Sequence, residues 1–419
     1  MPFALRTSSL LLVLATALLT APLPACADEV SELKEEISDL KARLQSLESR
    51  LSKQEIARVA APVPASPSSS EIPSWVRKVE VSGFADVSYV YNTQSPKSRT
   101  STLRAFDTDA SGFQPNAFEL VVQKPVSEDS RVGFRTDLDI GEDSEIVGSV
   151  TTGFGSTTDE IDLQQVYAEA LLPVGGGLNV KVGKFVTLHG AEVIESKDNW
   201  NFSRSFLFGY AIPFTHTGVR MSYPVAPWLT GMFGVNNGWD VVDDNNTGKT
   251  IELAACGNPT PQTFYSVTGM VGPEQTGDNR DDRFLLDVVL GYNPCEKLAL
   301  KLNYDYGQEQ DATIENIENA TWHGVAGYAR YQFTDWYALA LRSEYFADFD
   351  GIRTGVRSAN GVTDGRFWEF TLTNEFKVYK DLITRLEYRH DHASDNVFAA
   401  GSSTDNTQDT VSAEVIYPF

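Results

Sequence analysis

From residue 77 onward the side chains alternate between apolar and polar, segment after segment. This period of two limits the available folds more than any other feature. It fits a strand with one oily and one wet face, and it does not fit a helix. Val79, Val81, Ala85, Val87, Tyr89 and Tyr91 alternate with Glu80, Ser82, Asp86 and Ser88. Leu298, Leu300, Leu302, Tyr304 and Tyr306 alternate with Lys301, Asn303 and Asp305, and Val411, Ala413, Val415, Tyr417 and Phe419 with Ser412 and Glu414. Read this way, the sequence predicts fourteen strands, at 79–91, 116–124, 131–140, 161–172, 178–186, 215–223, 228–236, 283–293, 297–307, 322–333, 336–346, 366–378, 382–390 and 409–419. Most approach the ~9–11 residues that a tilted strand needs to cross a bilayer.

The connections alternate too. Short ones run from Pro125 to Ser130, Pro173 to Gly177, Pro224 to Pro227, Asn293 to Glu296, Thr334 to Asp335 and Tyr379 to Asp381. Long ones cover 92–115, 141–160, 187–214, 237–282, 308–321, 347–365 and 391–408. Short periplasmic turns facing long extracellular loops are expected of an antiparallel transmembrane β-barrel. An even strand number then leaves both termini in the periplasm. Twelve or sixteen strands also remain open, because 141–160 and 237–282 are long enough to hide a hairpin. A soluble sandwich would bury its apolar faces between two sheets, which leaves the rhythm of the loops unexplained. A mean hydropathy of −0.23 is compatible with a barrel, whose two faces cancel. Tryptophan supports the placement, since its ring favours membrane interfaces. Trp75, Trp228 and Trp336 fall at predicted periplasmic strand ends, Trp239, Trp322 and Trp368 at outer ends, and Trp200 in a loop.

Ahead of the barrel (77–419) the sequence predicts three segments. Residues 1–27 read as a secretory signal, with Arg6, an apolar core from Leu10 to Leu19, and cleavage after Ala27. Leu23 to Cys26 offers a second reading as a lipoprotein box that would leave a lipidated Cys26. Residues 28–56 predict a coiled-coil helix, because Val30, Leu33, Ile37, Leu40, Leu44, Leu47 and Leu51 keep an unbroken a/d repeat. The g–e pairs Glu36–Lys41 and Arg43–Glu48 favour parallel association of identical chains; a lone solvated helix is the alternative. Residues 57–76 form a Pro-, Ser- and Ala-rich linker.

Parity turns Arg131, Arg135, Lys181, Arg220, Arg283, Lys301, Arg330, Arg342, Arg385 and Arg389 toward the lumen. It turns Asp86, Glu119, Asp137, Asp139, Glu169, Asp287, Asp305, Glu344, Glu369, Glu375 and Glu387 the same way. Charges at membrane depth need water or a partner, so these residues predict a mixed-sign pore lining. The seven long connections carry a formal −19 of the chain's −23. That charge disfavours nucleic acid and suits concentration of cations at a pore mouth, or contact with lipopolysaccharide through divalent ions. The 28-residue connection 187–214 is expected to fold inward and narrow the pore.

No cofactor is expected. Gly248-Lys249-Thr250 ends like a phosphate-binding loop, but Asp243 stands where that loop needs glycine. Asp240, Asp243 and Asp244 with Asn245 and Asn246 offer oxygens for calcium, without the glycine spacing of a calcium loop. His390 and His392 could pair on a metal, yet no third ligand is near, and a solvated pair is the simpler reading. No nucleophile arrangement is recognisable, so no catalytic residue is assigned. Cys256 and Cys295 fall at opposite barrel ends in this topology and predict two free thiols.

The stretch NWNFSRSFLFGYAIPFTHTGVRM at 199–221 resembles the β-barrel porin-2 (OmpL-like) family of outer-membrane proteins. Val182-Gly183-Lys184-Phe185, His189-Gly190-Ala191-Glu192 and Val235-Asn236-Asn237-Gly238-Trp239-Asp240 fit the same family, over about residues 80–419. The resemblance implies an outer-membrane barrel with pore activity and carries no catalytic residue over. The helix-and-linker head is also similar to that of phosphate-selective porins, although acids here match the inward bases. Two functions are therefore expected to compete. One is passive diffusion of ions and small hydrophilic solutes. The other is a plugged structural or adhesive barrel tethered to periplasmic partners. Expected partners are membrane lipid and lipopolysaccharide, further copies of the chain (a trimer) through barrel and coiled coil, and the barrel assembly machinery through Phe419.

Overall fold

The computed structural model describes residues 78–149, 160–312, 318–356 and 365–419. The predicted signal, coiled coil and linker, and Trp75, lie outside the described residues. Fifteen consecutive strands are β1 (Glu80–Asn92), β2 (Ser111–Lys124), β3 (Val132–Ile140), β4 (Ile161–Leu172), β5 (Leu178–Val186), β6 (Thr215–Ala226), β7 (Leu229–Asn236), β8 (Thr250–Thr260), β9 (Thr263–Pro273), β10 (Asp282–Cys295), β11 (Leu298–Gln310), β12 (Asn319–Thr334), β13 (Tyr337–Asp348), β14 (Arg366–Tyr379) and β15 (Leu382–Ala393). A small separate ribbon, β16 (Phe398–Ala400) with β17 (Ser403–Asp405), precedes β18 (Thr407–Pro418). Each barrel strand pairs antiparallel with its sequence neighbour, and β18 returns to β1 to close a sixteen-stranded barrel. The seam is tied at Gly83 and Phe419, whose amides and carbonyls exchange bonds of 3.0 and 2.9 Å.

Sixteen strands replace the expected fourteen. The added hairpin, β8–β9, lies within 237–282. Ile251, Leu253, Val267 and Val271 face outward, but Ala255, Gly257 and Gly269 break that row, the inward Ala254, Cys256 and Met270 are not polar, and Pro259 interrupts the strand, so the alternation that marks the other strands is faint. The hairpin also moves Cys256 onto β8, near the end where the short turns lie. Cys295 closes β10 at that same end, so the expected opposite placement is overturned, although both thiols are free.

The strands are built inside out. Leu386, Tyr388, Val411, Val415 and Tyr417 stand exposed on the outer wall, while Arg385, Glu387, Arg389, Ser412 and Glu414 are buried on the inner one. Oily residues outward suit hydrocarbon, where a charge at mid-depth costs ~2–4 kcal/mol for Arg or Lys. Trp228 and Trp336 stand exposed near the short turns, and Trp368 packs outward against Tyr345 and His392. Trp239 and Trp322 depart from the expectation: both are buried inside, meeting edge to face at 6.1 Å. Trp322 shares the inward parity of Ala320 and Ala326, and Gly307 opposite it leaves room for the indole.

Candidate pore constriction

The connection between β5 and β6, residues 187–214, leaves the wall and enters the lumen. Gly190 (φ 90°) makes the turn, and a Cβ there would lie 2.7 Å from Ile212. The loop then carries a 3-10 turn (Ser196–Asp198) and a π-helical turn (Leu207–Ala211). Most of its backbone has no strand to pair with, and buried peptide groups need partners. The opposite wall supplies them. Glu387 accepts from the amides of Phe202 (2.7 Å) and Ser203 (3.0 Å), and Glu344 from those of Phe206 (2.7 Å) and Leu207 (2.5 Å). Arg385 donates to the carbonyls of Ser196 (2.9 Å) and Asn199 (2.7 Å), Arg389 to that of Arg204 (2.5 Å), and Arg342 to that of Ser203. Arg342 also pairs with Glu192 of the loop (2.6 Å) and Glu369 of the wall (2.8 Å). Burial pushes the Glu192 carboxyl up, but Arg342 and the Ser205 hydroxyl and amide outweigh it and hold it below the ordinary value.

The first long connection turns inward as well. Arg104 pairs with Asp391 of β15 (2.7 Å) and with Asp107. Loop and wall then share an apolar cluster within the barrel, in which Phe106, Phe208 and Phe214 lie 5.3–5.9 Å apart and join Leu207, Ile212, Phe346 and Phe367. Arg353 stacks on Trp239 (4.5 Å) and donates to the Tyr210 carbonyl (2.7 Å). Among the described residues a cavity of about 680 Å³ lies between loop residues 195–198 and the wall of β1–β5, closed on one side by Ile383, Pro418 and Phe419. Glu119, Arg135, Tyr167, Lys181, Glu195, Lys197 and Asp198 line it, so both signs of charge face the space.

The sequence-predicted lining residues divide accordingly. Arg135, held to Asp137 at 2.8 Å, and Lys181, over the Tyr167 ring at 4.1 Å, border the cavity. Asp139 is buried opposite Glu119 on the same wall. Arg342, Glu344, Glu369, Arg385, Glu387 and Arg389 instead hold the loop or one another. Lys301 donates to the Ala191 carbonyl (3.2 Å), Asn303 bridges Asp287 (2.7 Å), Asp305 and the loop amide of Ala191, and Arg220 pairs with Glu252 (2.8 Å). Arg131 is a correction: it precedes β3 and stands exposed in a short turn. The oxygen-rich cluster at 240–246 divides among partners within the protein. Asp240 accepts from the amides of Phe214 (2.6 Å) and Thr215 (2.9 Å), Asp244 binds Lys249 and the Asn246 amide, and Asp243 points into solvent. His390 pairs with Asp409 at 2.8 Å.

Sequence reasoning missed Glu192, Glu195, Arg204, Glu252, Asp391 and Glu414 as interior groups. Glu414 and Asp391 continue the parity of Ser412 and Arg389 and were legible. Glu252 was hidden with its strand, and the loop residues carry no period to read.

A family model described as beta-barrel porin-2, OmpL-like, matches residues 78–419. No curated protein sequence matches significantly. Among solved structures, the chain is similar in fold to an anion-selective porin from Comamonas acidovorans, at 11% identity and a TM-score of 0.56, covering 81% of this chain and 99% of that one. The trimer form of OmpT, an outer membrane protein of Vibrio cholerae, gives 11% and 0.51, with coverage of 81% and 99%. Salmonella typhi OmpF in complex with daunomycin gives 12% and 0.51, with 81% and 97%.

Proposed function

Because the chain belongs to the beta-barrel porin-2 family of outer-membrane barrels, we propose that it is a passive diffusion channel for ions and small hydrophilic solutes, narrowed to a side passage by its inward loop. The observation that carries this reading is the polar cavity beside residues 195–198, which keeps charged groups of both signs in contact with open space. Charges at membrane depth are tolerated beside water, and opposite signs across a narrow passage sort solutes by a transverse field. In this reading Arg135, Lys181, Glu119, Glu195, Lys197 and Asp198 border the passage. The wall residues from Arg342 to Arg389 position the loop that defines it.

The same reading places the short turns and both termini in the periplasm and the long loops outside. The coiled coil at 28–56 then projects into the periplasm, Phe419 engages the assembly machinery, and three copies associate, as the trimer form of OmpT does. A second reading has a specific observation in its favour: the apolar cluster across the barrel interior is what a plug would need. Planar-bilayer recording separates the two. The channel reading expects stable conductance steps from purified full-length protein, and larger steps after deletion of residues 195–206. Silence of the folded protein would establish the plug.

A further inference from the structure

At the root of the inward loop, three side chains from separate segments converge. His189 follows β5 by three residues, His216 is the second residue of β6, and Glu252 is the third of β8. One donor atom from each lies within 4.8 Å of the others. All three are buried, at 4%, 0% and 1% exposure. Neither ring nitrogen of His189 has a hydrogen-bond partner in the protein, and neither does Nε2 of His216. Leaving such groups unpaired in an interior is costly, and the one nitrogen of each ring that faces the shared space can carry a lone pair for a metal ion to accept.

We propose that His189, His216 and Glu252 form a binding site for one divalent transition-metal ion of the zinc type, fastening the root of the inward loop to β6 and β8. The tautomer supports it. Nδ1 of His216 lies 3.0 Å from the Gly238 carbonyl, a contact that needs its proton there and leaves the Nε2 lone pair facing inward. That Nε2 is 3.7 Å from Oε1 of Glu252, close to the ~3.4 Å that separates donors on a tetrahedral ion with bonds of about 2.0–2.2 Å. Arg220 grips the Glu252 carboxylate through Nε (2.8 Å) and Nη2 (3.1 Å), reaching it across Gly234, and so fixes its direction as an outer partner would. Asn236, also buried with its side-chain amide unpaired, stands on β7 between the strands that carry His216 and Glu252.

The donor set decides the ion. Calcium and magnesium want many oxygens; here one carboxylate already shares its charge with Arg220. Two neutral imidazoles suit zinc, copper or nickel. The site does not depend on whether the barrel conducts.

The test uses untagged, full-length protein folded in detergent and exposed to zinc, then freed of loose metal by gel filtration. About one zinc ion per chain should remain. His189→Gln and His216→Gln should each lower retention at least ~10-fold, while His390→Gln should not. Cobalt(II) in place of zinc should give the visible absorption of a four-coordinate ion in the wild-type chain, a readout that needs no variant to fold. Equal retention by wild type and a His189→Gln/His216→Gln double variant, or a purely six-coordinate cobalt spectrum, would overturn the proposal.

Discussion

Arg342 shows what a single residue does here. It is fully buried and meets two carboxylates on different segments, Glu369 on the wall and Glu192 on the loop. Its replacement by alanine leaves Glu192 without its counter-charge and Glu369 with only the longer contact to Arg389 (3.7 Å), and breaking a buried pair costs ~3–5 kcal/mol. Arg342→Ala should therefore lower the urea midpoint of the heat-modifiable gel band and enlarge the conductance step. Arg342→Met combined with Glu192→Gln should recover part of the stability, because no charge is left unpaired on the loop. A double variant as unstable as Arg342→Ala would show that the loss comes from packing. The same contact sets a pH dependence. The Glu192 carboxyl titrates below its unfolded value of about 4.3. A lowered folded value means that the contact contributes its full stability above the unfolded pKa and loses it as pH falls through the folded one. The share of loop anchoring that Glu192 carries should be complete at neutral pH and weaken as pH falls below the unfolded value. Channel recordings at descending pH check this, and Glu192→Gln should remove the Glu192 component of the transition.

Among the elements, the inward loop and the β8–β9 hairpin mark where the sequence could be read and where it could not. Fourteen of the sixteen barrel strands announce themselves, because a lipid face demands large apolar residues at every second position. The β8 run TIELAACGNPT keeps Ile251 and Leu253 there but continues with Ala255 and Gly257, and its inward Ala254 and Cys256 are not polar, so the period fades although the strand pairs on both sides. Inward parity was visible for Arg385, Glu387 and Arg389, but their task was not. Whether a lumen charge meets water or a peptide group depends on a loop whose path has no sequence period. Trp239 and Trp322 misled for a related reason: an indole suits both a membrane interface and a plugged interior. One glycine tests the loop as an element. A Cβ at Gly307 would sit 2.0 Å from Trp322, whose Nε1 donates to the loop carbonyl of Ala211 at 3.0 Å. Gly307→Ala should push the indole off that carbonyl and cost ~1–3 kcal/mol by overpacking. Thermal unfolding would register it, together with noisier open-channel current; an unchanged unfolding temperature would mean that the ring has slack.

For the whole molecule, the formal charge of −23 overstates the field at the mouth. Asp107, Asp143, Glu192 and Asp391 belong to long connections or their edges, yet all are buried inside the barrel and face Arg104, Arg204, Arg342 or Arg389. Acids spent in this way cannot draw cations from solution. What remains is a partly exposed rim, including Asp278 and Asp281, and the mixed groups of the cavity. Screening decides between them. The Debye length is about 10 Å at 0.1 M salt and about 3 Å at 1 M, so rim charges fade first and residues bordering the passage persist. If the barrel conducts, reversal potentials should show a modest cation preference that shrinks as salt rises. Lys197→Glu should strengthen that preference at both salt levels, because Lys197 borders the cavity itself. Neutralising Asp278 and Asp281 together should matter at 0.1 M only, to a smaller degree. A preference for anions, or rim variants that act as strongly as Lys197→Glu at 1 M, would show that solutes pass by a route other than the cavity beside residues 195–198.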